Sequence, residues 1–347
     1  MPVNYSPDDI FGGVDNLSLD KRIFDPSRDD IKRICRFFSI GKLRHYKKEK
    51  GIIVSHSNFF VFASTTHGQY ALKFYPPDSA KSIAIEYAAN RLLAGHHFLT
   101  PTMHEGLFGR PFTPSNGRLA ACYSYIDGRP VCQRIKQQNI FPKINAAMLS
   151  LKTILSAHPR SLSFPKQESL AATINILTQN SRALAPYEQK ETIEGSLIDA
   201  CQTYQLHQPL FTRQKLHNNA NLTNFLIYKE TVYTLDLSHI REDYVLSDLA
   251  SLVISCLFFN IPAKTTNNIV KNYFLRHQIK QEYFPVLNTL VKIGLVKEYL
   301  KNIRREKSIG LFPYPQGLVR TYTSHLLKRK KSIAAALKNE QCPKLIV

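Results

Sequence analysis

The chain has 347 residues, 44% of them hydrophobic and 21% charged, which is the composition of an ordinary folded protein and excludes disorder over most of its length. Its 46 Lys and Arg residues outnumber the 26 Asp and Glu residues and give a net charge of +20. That charge favours an anionic partner, such as a nucleotide, a phosphorylated metabolite, a nucleic acid or an acidic membrane surface, without choosing among them.

The cysteines and the apolar runs indicate a compartment. Six cysteines are scattered without a Cys-x-x-Cys pair or a Cys/His cluster at metal-ligand spacing, so neither a zinc site nor a disulfide framework is indicated. The longest apolar run starts at Leu249 and is well short of a bilayer span. The first residues lack the basic and apolar regions of a secretory signal. We therefore expect a cytoplasmic protein without a membrane span.

The N-terminal third of the sequence predicts a small, strand-rich lobe. Residues 1–26 show no periodicity and are expected to form a loosely packed arm. Ser27 can cap an amphipathic helix that Gly41 ends. A hairpin follows around residues 65–68, because β-branched and aromatic residues flank that turn on both sides. We assign residues 27–126 to this lobe and expect it to bind a nucleotide, for reasons given below.

A second helix and a second hairpin complete this lobe in the sequence. The helix is predicted from Ser79 to Ala94 and the hairpin over residues 104–126, up to a break at residues 127–130. The apolar stripe predicted for the helix consists of Ala84, Tyr87, Ala88 and Leu92.

The remaining residues, 127–347, predict a larger helical lobe. One short hairpin is embedded in it, around the turn at Lys229 and Glu230, and a buried helix follows from Ser247. Helices separated from strands in this way indicate an α+β fold with two lobes.

The polar residues are informative through their order. Taken alone, Lys73 is a solvent-facing strand residue, Glu86 is a solvated helix charge, and the Asn-rich loop at residues 217–224 is a turn. Together they follow the order of a phosphoryl-transfer site, which needs a lysine on the phosphates, a carboxylate holding that lysine, and Asn and Asp on magnesium. The candidates in chain order are Lys73, Glu86, His217, Asn219, Asn224, Asp236 and Asp248.

Two segments resemble the aminoglycoside phosphotransferase superfamily, with the pattern nearest to its type II homoserine kinase and choline kinase-like members. HSNFFVFASTTHGQYALKFY resembles the opening hairpin of type II homoserine kinases, and LHNNANLTNFLI…TLDL resembles the superfamily block HGDLHxxNxL…IDF. FFSIGKL, CYSYIDGRPV and LSDLASLV also match in order, so the resemblance covers roughly residues 30 to 260. It implies a two-lobed protein-kinase-like fold.

The resemblance also implies roles for individual residues. Lys73 would contact the phosphates of ATP or GTP with Glu86 as its partner, and Asn224 and Asp236 would bind Mg²⁺. His217 would brace the catalytic loop. Asp248 would either cap its helix or brace the same loop.

Further nucleotide contacts are expected at the hinge and in the loop before the first hairpin. Residues 123–126, including Tyr123 and Tyr125, would present backbone groups to the adenine edge. His56, Ser57 and Asn58 either donate hydrogen bonds to phosphate or form a plain polar turn, because no glycine lies between Gly51 and Gly68.

The sequence departs from this superfamily at the catalytic position. The motif HGD is replaced by His217, Asn218 and Asn219, so an amide stands where the catalytic aspartate belongs. An amide can orient a hydroxyl but cannot take its proton at neutral pH. Glu230 is the one carboxylate between Asp199 and Asp236, and it is expected to point away from the site.

Two functions are therefore open. The first is an ATP-dependent O-phosphotransferase that acts on a small hydroxylated metabolite, slowly because Asn219 replaces the base. Losing a general base costs about 10²- to 10⁴-fold in rate, which need not abolish phosphoryl transfer. The alternative is a pseudokinase that binds nucleotide or a protein partner without turnover.

The basic runs around Lys47 and Lys330 are interpreted as solvated helix faces, and no stacking platform or helix-turn-helix pattern accompanies them, so nucleic acid is not the expected partner.

Four acidic residues of the predicted helical lobe come nearest to forming an acidic cluster, but they have the spacing of a solvated helix. This disfavours a polycationic acceptor and leaves homoserine, choline-like and sugar acceptors open. They are Glu188, Glu191, Glu194 and Asp199.

Overall fold

The computed structural model of the protein describes residues 25–48, 59–133, 139–158, 168–184 and 187–309. The first lobe contains α1 (Arg28–Phe37), β1 (Leu43–Lys48), β2 (Phe59–Thr65), β3 (Gln69–Tyr75), α2 (Ala80–Gly95), β4 (Thr113–Ser115) and β5 (Arg118–Ser124). Its strands form one antiparallel sheet in the order β1-β2-β3-β5-β4.

The central strand β3 faces two different cores. Leu72 and Phe74 pack on the face covered by α1, whereas Tyr75 packs with Ile83 of α2 on the other face. Successive side chains of a strand point to opposite faces, so Lys73 shares the α2 face with Tyr75. This alternation positions the lysine for the site described below.

Helix α1 starts as its sequence predicts. The Ser27 side chain accepts a hydrogen bond from the Asp30 backbone N–H, and Asp30 in turn accepts one from the Ser27 backbone. This capping box satisfies two donors that the first helical turn would otherwise leave unpaired.

The apolar stripe predicted for α2 is wrong, because it is displaced by about one residue from the face that is buried. Ala84 is exposed and Tyr87, Ala88 and Leu92 are only half-buried. The buried residues are Ile83, Glu86, Ala89, Asn90 and Leu93. Two of them are polar, and an analysis of apolar periodicity cannot select such residues.

The first arm of the second predicted hairpin is much shorter than expected. Thr113–Ser115 of this arm forms a strand with β5, and near its start the His104 N–H donates to the Cys122 carbonyl at 2.8 Å. Between them, Leu107–Gly109 forms a 3₁₀ turn with Phe108 at a positive φ of 61°. Pro111 lacks the N–H that a continuous ladder requires, which is consistent with the interruption.

The second lobe is mainly helical and carries two small sheets. The strand pair β7–β10 forms one sheet and β6-β8-β9 the other, and all described pairs are antiparallel. The elements are β6 (Arg129–Pro130), α3 (Ile140–Ala157), α4 (Leu170–Leu184), α5 (Tyr187–Leu206), β7 (Arg213–Leu216), β8 (Phe225–Tyr228), β9 (Thr231–Thr234), β10 (Arg241–Tyr244), α6 (Ser247–Phe258), α7 (Ala263–Arg276) and α8 (Phe284–Ile309). None of the helices in the described ranges is long and apolar enough to cross a membrane.

An apolar cluster joins the two lobes behind the cleft. Ala89 and Leu93 of α2 pack with Leu155 of α3 and with Leu237 and Ile240, which follow Asp236. Helix α2 is therefore attached to the same segment that carries Asp236. This contact fixes Glu86 relative to the second lobe.

Asn90 connects α2 to the segment beside β5, and its loss should be costly. Its side chain is 2% exposed, donates to the Pro101 carbonyl at 2.7 Å and accepts from the Met103 N–H at 2.9 Å. Asn90→Ala leaves both backbone groups unpaired, so we expect the free energy of unfolding in urea to fall by about 1–3 kcal/mol.

The matched control is Asn272→Ala, at an exposed position of α7, which we expect to stay within about 0.5 kcal/mol of the wild type. Equal losses in the two variants would show that the Asn90 bonds do not stabilise the lobe.

Candidate active site

A buried ammonium group lies at the inner end of the cleft between the lobes. Lys73 Nζ is 3.2 Å from Glu86 Oε2 and 2.8 Å from Asp236 Oδ1. Lys73 and Glu86 are 3% and 2% exposed, so the solvent-facing interpretations that each residue receives in isolation are wrong. A buried charge requires partners of opposite sign, and here each charge has one.

Lys73 and Asp236 hold each other ionised. Burial would lower the pKa of Lys73, but Asp236 and Glu86 reverse this and keep the pKa above its ordinary value. Burial would likewise raise the pKa of Asp236, whereas Lys73 and His239 hold it well below its ordinary value. Removing one of these side chains therefore leaves a buried charge without a partner, which destabilises the folded state.

Two tyrosines extend this network. The Tyr75 hydroxyl donates to Glu86 Oε2 at 2.7 Å and lies 2.5 Å from the Tyr123 hydroxyl. Lys73 Nζ also lies over the Tyr75 ring, 4.5 Å from its centroid. Sequence reasoning missed Tyr75, although its position two residues after Lys73 puts both side chains on one face of β3.

The cleft holds a cavity of about 340 Å³ with an apolar wall and a polar inner end. The volume lies in the range of small-molecule sites. Its polar end is formed by Lys73, Glu86, Asn224 and Asp236, and its apolar lining includes Phe60, Phe62, Ala71, Ile126, Leu226 and Leu235.

The hinge residues contribute to the cavity in different ways. Tyr123, Tyr125 and Ile126 line it, but the Ser124 N–H already donates to the Thr102 carbonyl at 2.8 Å and the Tyr125 N–H to Gln69 at 3.4 Å. No hydrogen bond of the Ile126 backbone occurs in the described part of the chain. Of this segment, the Ile126 backbone is thus available to a ligand.

The loop after β7 is braced by Asp248. Its carboxylate accepts the His217 N–H at 3.1 Å and the Asn218 N–H at 2.6 Å. The His217 ring is buried and its Nε2 donates to the Leu235 carbonyl at 2.8 Å, next to Asp236. Asp248 lies in the first turn of α6 but braces the loop, which decides between the two roles expected for it.

Asn218 has a backbone conformation that explains why asparagine can replace a glycine there. Its φ of 61° is in the left-handed region, which Asn tolerates better than most side chains. In the orientation that satisfies both ends, its amide nitrogen donates to Asp243 and its oxygen accepts from Arg241. The side chain therefore adds contacts that glycine would lack.

Asn219 is half-buried and its amide is held by its neighbours. Its Oδ1 accepts from Asn221 Nδ2 at 2.7 Å, and its carbonyl accepts from Asn224 Nδ2 at 2.8 Å. Glu230, on the hairpin tip, is exposed and pairs with Lys143 at 3.2 Å, so it points away as expected. Residues 217–224 carry no carboxylate.

Two oxygen donors at the inner end are suited to a divalent cation. Asn224 uses its Nδ2 on Asn219, and no partner of its Oδ1 occurs within the described residues. Asp236 has a left-handed backbone, with φ 57°, that a side chain of this kind adopts at a cost. Amide and carboxylate oxygens are ligands that Mg²⁺ accepts, so the donor set fits such an ion.

Full-length similarity to solved kinases accompanies this geometry. No protein-family model and no curated protein sequence matches the chain. An amicoumacin kinase in complex with AMP-PNP, Ca²⁺ and Ami superposes with a TM-score of 0.63 at 15% identity, over 90% of this chain and 93% of that one.

Two further structures match as fully. Spectinomycin phosphotransferase APH(9)-Ia, in complex with ADP and spectinomycin, gives a TM-score of 0.58 at 13% identity over 91% and 99% of the two chains. Choline kinase from Cryptosporidium parvum gives 0.52 at 15% identity over 90% and 98%. The chain has the fold of the aminoglycoside phosphotransferases and choline kinases. The predicted α+β, two-lobed kinase-like fold is confirmed.

Within this phosphotransferase fold, most of the predicted site residues come together. Lys73, Glu86, Asn224 and Asp236 meet at one end of the cavity, and His217 and Asn219 lie in the adjoining loop. His56, Ser57 and Asn58 lie outside the described residues, as do Lys330 and the side chain of Glu188.

His239 is a further residue of the site that the sequence interpretation missed. Its Nε2 lies 3.5 Å from Asp236 Oδ2, and 45% of its side chain is exposed. Desolvation by the surrounding protein lowers the pKa of the His239 imidazole, and nearby positive groups lower it further, although Asp236 opposes the shift. The Asp-x-x-His spacing of Asp236 and His239 is the signal that the sequence offers for this contact.

Loss of the buried ammonium should destabilise this phosphotransferase fold strongly. Lys73→Met leaves Glu86 and Asp236 without their shared cation, and we expect the free energy of unfolding to drop by about 3–5 kcal/mol in denaturant titrations. The control is Lys143→Met, which removes the exposed pair with Glu230 and should cost no more than about 1 kcal/mol. Similar losses in both variants would contradict a structural role for the buried network.

Proposed function

We propose that this chain is an ATP- or GTP-dependent O-phosphotransferase that acts on a small hydroxylated metabolite. The observation that carries the proposal is Lys73, buried and joined to both Glu86 and Asp236 at the polar end of an interlobe cavity. In phosphoryl-transfer sites this lysine and its carboxylate partner hold the nucleotide phosphates. Two similar structures, which are complexes with AMP-PNP and with ADP, support a nucleotide as the ligand of this cleft.

The apolar walls and the polar end of the cavity favour one orientation of a bound nucleotide. The base would lie between the apolar walls, with its edge against the Ile126 backbone, and the phosphates would reach Lys73. Asn224 Oδ1 and Asp236 would hold Mg²⁺, which neutralises charge on the transferred group when bound. Such an activity fits the cytoplasm expected from the cysteine pattern.

The loop carrying Asn219 would hold the acceptor. The Asn219 side chain can orient the acceptor hydroxyl, whose oxygen bonds to the γ-phosphorus as the bond to the β-phosphate oxygen breaks. No carboxylate of this loop can take the hydroxyl proton, which therefore leaves to solvent or to the transferred phosphate. The expected consequence is a slow reaction.

A pseudokinase is the second candidate, and one observation favours it. The Asn219 amide is engaged by Asn221 and is no proton acceptor, whereas Lys73, Asn224 and Asp236, the residues proposed for nucleotide and metal, lie together at the polar end of the cavity. Such a protein would bind nucleotide, or a protein partner, without turnover.

Restoring the carboxylate distinguishes the two candidates. We expect slow ATP hydrolysis by the wild type, an increase of about 10²- to 10⁴-fold in Asn219→Asp, and loss of activity in Asp236→Ala. The control Glu230→Ala changes a carboxylate on the exposed hairpin tip and should behave as the wild type. Hydrolysis is followed by phosphate release, and binding by the rise in melting temperature with Mg-ATP or Mg-GTP.

Each outcome has one interpretation. Binding of nucleotide without turnover by the wild type supports the pseudokinase, whether or not Asn219→Asp gains activity. If neither Mg-ATP nor Mg-GTP raises the melting temperature, the nucleotide site itself is refuted.

A further inference from the structure

His239 is placed beside Asp236 by the backbone that joins them. Leu237–His239 forms a 3₁₀ turn directly after Asp236. Asp236 precedes this turn as its N-cap residue and has left-handed backbone dihedrals, φ 57° and ψ 63°. In this conformation the His239 Nε2 lies 3.5 Å from Asp236 Oδ2.

The two oxygens of Asp236 have different surroundings. Oδ1 accepts hydrogen bonds from Lys73 Nζ at 2.8 Å and from Ser238 Oγ at 2.7 Å. Within the described residues Oδ2 accepts no hydrogen bond, and the His239 nitrogen lies 3.5 Å from it, farther than an ordinary hydrogen bond of about 2.7–3.2 Å. One oxygen is thus committed to the protein and the other is left for a cation.

The 3.5 Å separation is close to that of two ligands of one octahedral ion. Ligand atoms about 2.1 Å from such an ion lie about 3.0 Å apart, so the partly exposed imidazole would move toward Asp236 by about 0.5 Å to share the ion. Asn224 lines the cavity together with Asp236, and its Oδ1 can serve as a third donor because its amide nitrogen is fixed on Asn219. Among the described residues, no group of three His, Cys, Asp or Glu side chains could hold a metal, so the proposed site depends on this amide oxygen.

This donor set differs from one of oxygens alone. Mg²⁺ prefers oxygen ligands, whereas imidazole favours transition metals, and Mn²⁺ accepts carboxylate and carbonyl oxygens while binding nitrogen more readily than Mg²⁺ does. We propose that His239 is a direct ligand of the nucleotide-associated cation and makes this site select Mn²⁺ over Mg²⁺. The inference rests on the proposed function, because the cation arrives with the nucleotide.

The direct test is spectroscopic. Wild-type protein labelled with ¹⁵N-histidine, loaded with Mn²⁺ and AMP-PCP, is examined by electron spin echo modulation. AMP-PCP carries no nitrogen in its phosphate chain, so a ¹⁵N coupling on Mn²⁺ reports a histidine ligand. We expect the coupling in the wild type and in the control His45→Ala, at an exposed position of β1, and its loss in His239→Ala.

Calorimetry of AMP-PCP binding provides the second measurement. We expect the ratio of Mn²⁺-supported to Mg²⁺-supported affinity to fall about tenfold or more in His239→Ala and to stay unchanged in His45→Ala. Nucleotide binding without a histidine coupling in the wild type, or with an unchanged ratio in His239→Ala, overturns the role of His239 and leaves the proposed function standing. Failure of both metals to support binding overturns the proposed function together with this inference.

Discussion

The Lys73 ammonium, held between Glu86 and Asp236, is the interaction on which the rest of the site depends. It joins the central strand of the sheet, helix α2 and the segment after β9 at one point. A charge this deeply buried is tolerable only while both carboxylates remain close to it. The apolar cluster of Ala89, Leu93 and Leu237 holds the same three parts of the chain together, so packing and charge favour one arrangement of the lobes.

The main bracing contacts of the loop after β7 do not use the side chain at position 219. Asp248 accepts two backbone N–H groups of the loop, and His217 connects the loop to the carbonyl before Asp236. The Asn219 side chain adds one contact, with Asn221, which a carboxylate oxygen could also accept. The loop can therefore keep its shape with either an amide or a carboxylate at this position. In the proposed phosphoryl transfer the two side chains would differ, because an amide does not accept a proton at neutral pH.

The helix cap and the order of the candidate site residues along the chain could be predicted from the sequence. The cap at Ser27 follows from local chemistry, and the pairing of Lys73 with Glu86 follows from the order of the motifs. The contact of Lys73 with Asp236 was not expected, because the resemblance assigns Asp236 to the cation. Burial of polar residues could not be predicted, because Glu86 and Asn90 are buried by partners distant in sequence. The Asp-x-x-His spacing alone does not fix the contact of His239 with Asp236, which depends on the conformation of the turn between them.

We propose that the cavity between the lobes binds a nucleotide with its phosphates on Lys73. The decisive measurement is a crystal structure of the wild type with AMP-PCP and Mg²⁺. We expect a phosphate oxygen within hydrogen-bond distance of Lys73 Nζ and a cation between Asn224 Oδ1 and Asp236. A nucleotide bound elsewhere, or one in the cavity whose phosphates do not contact Lys73, would contradict it.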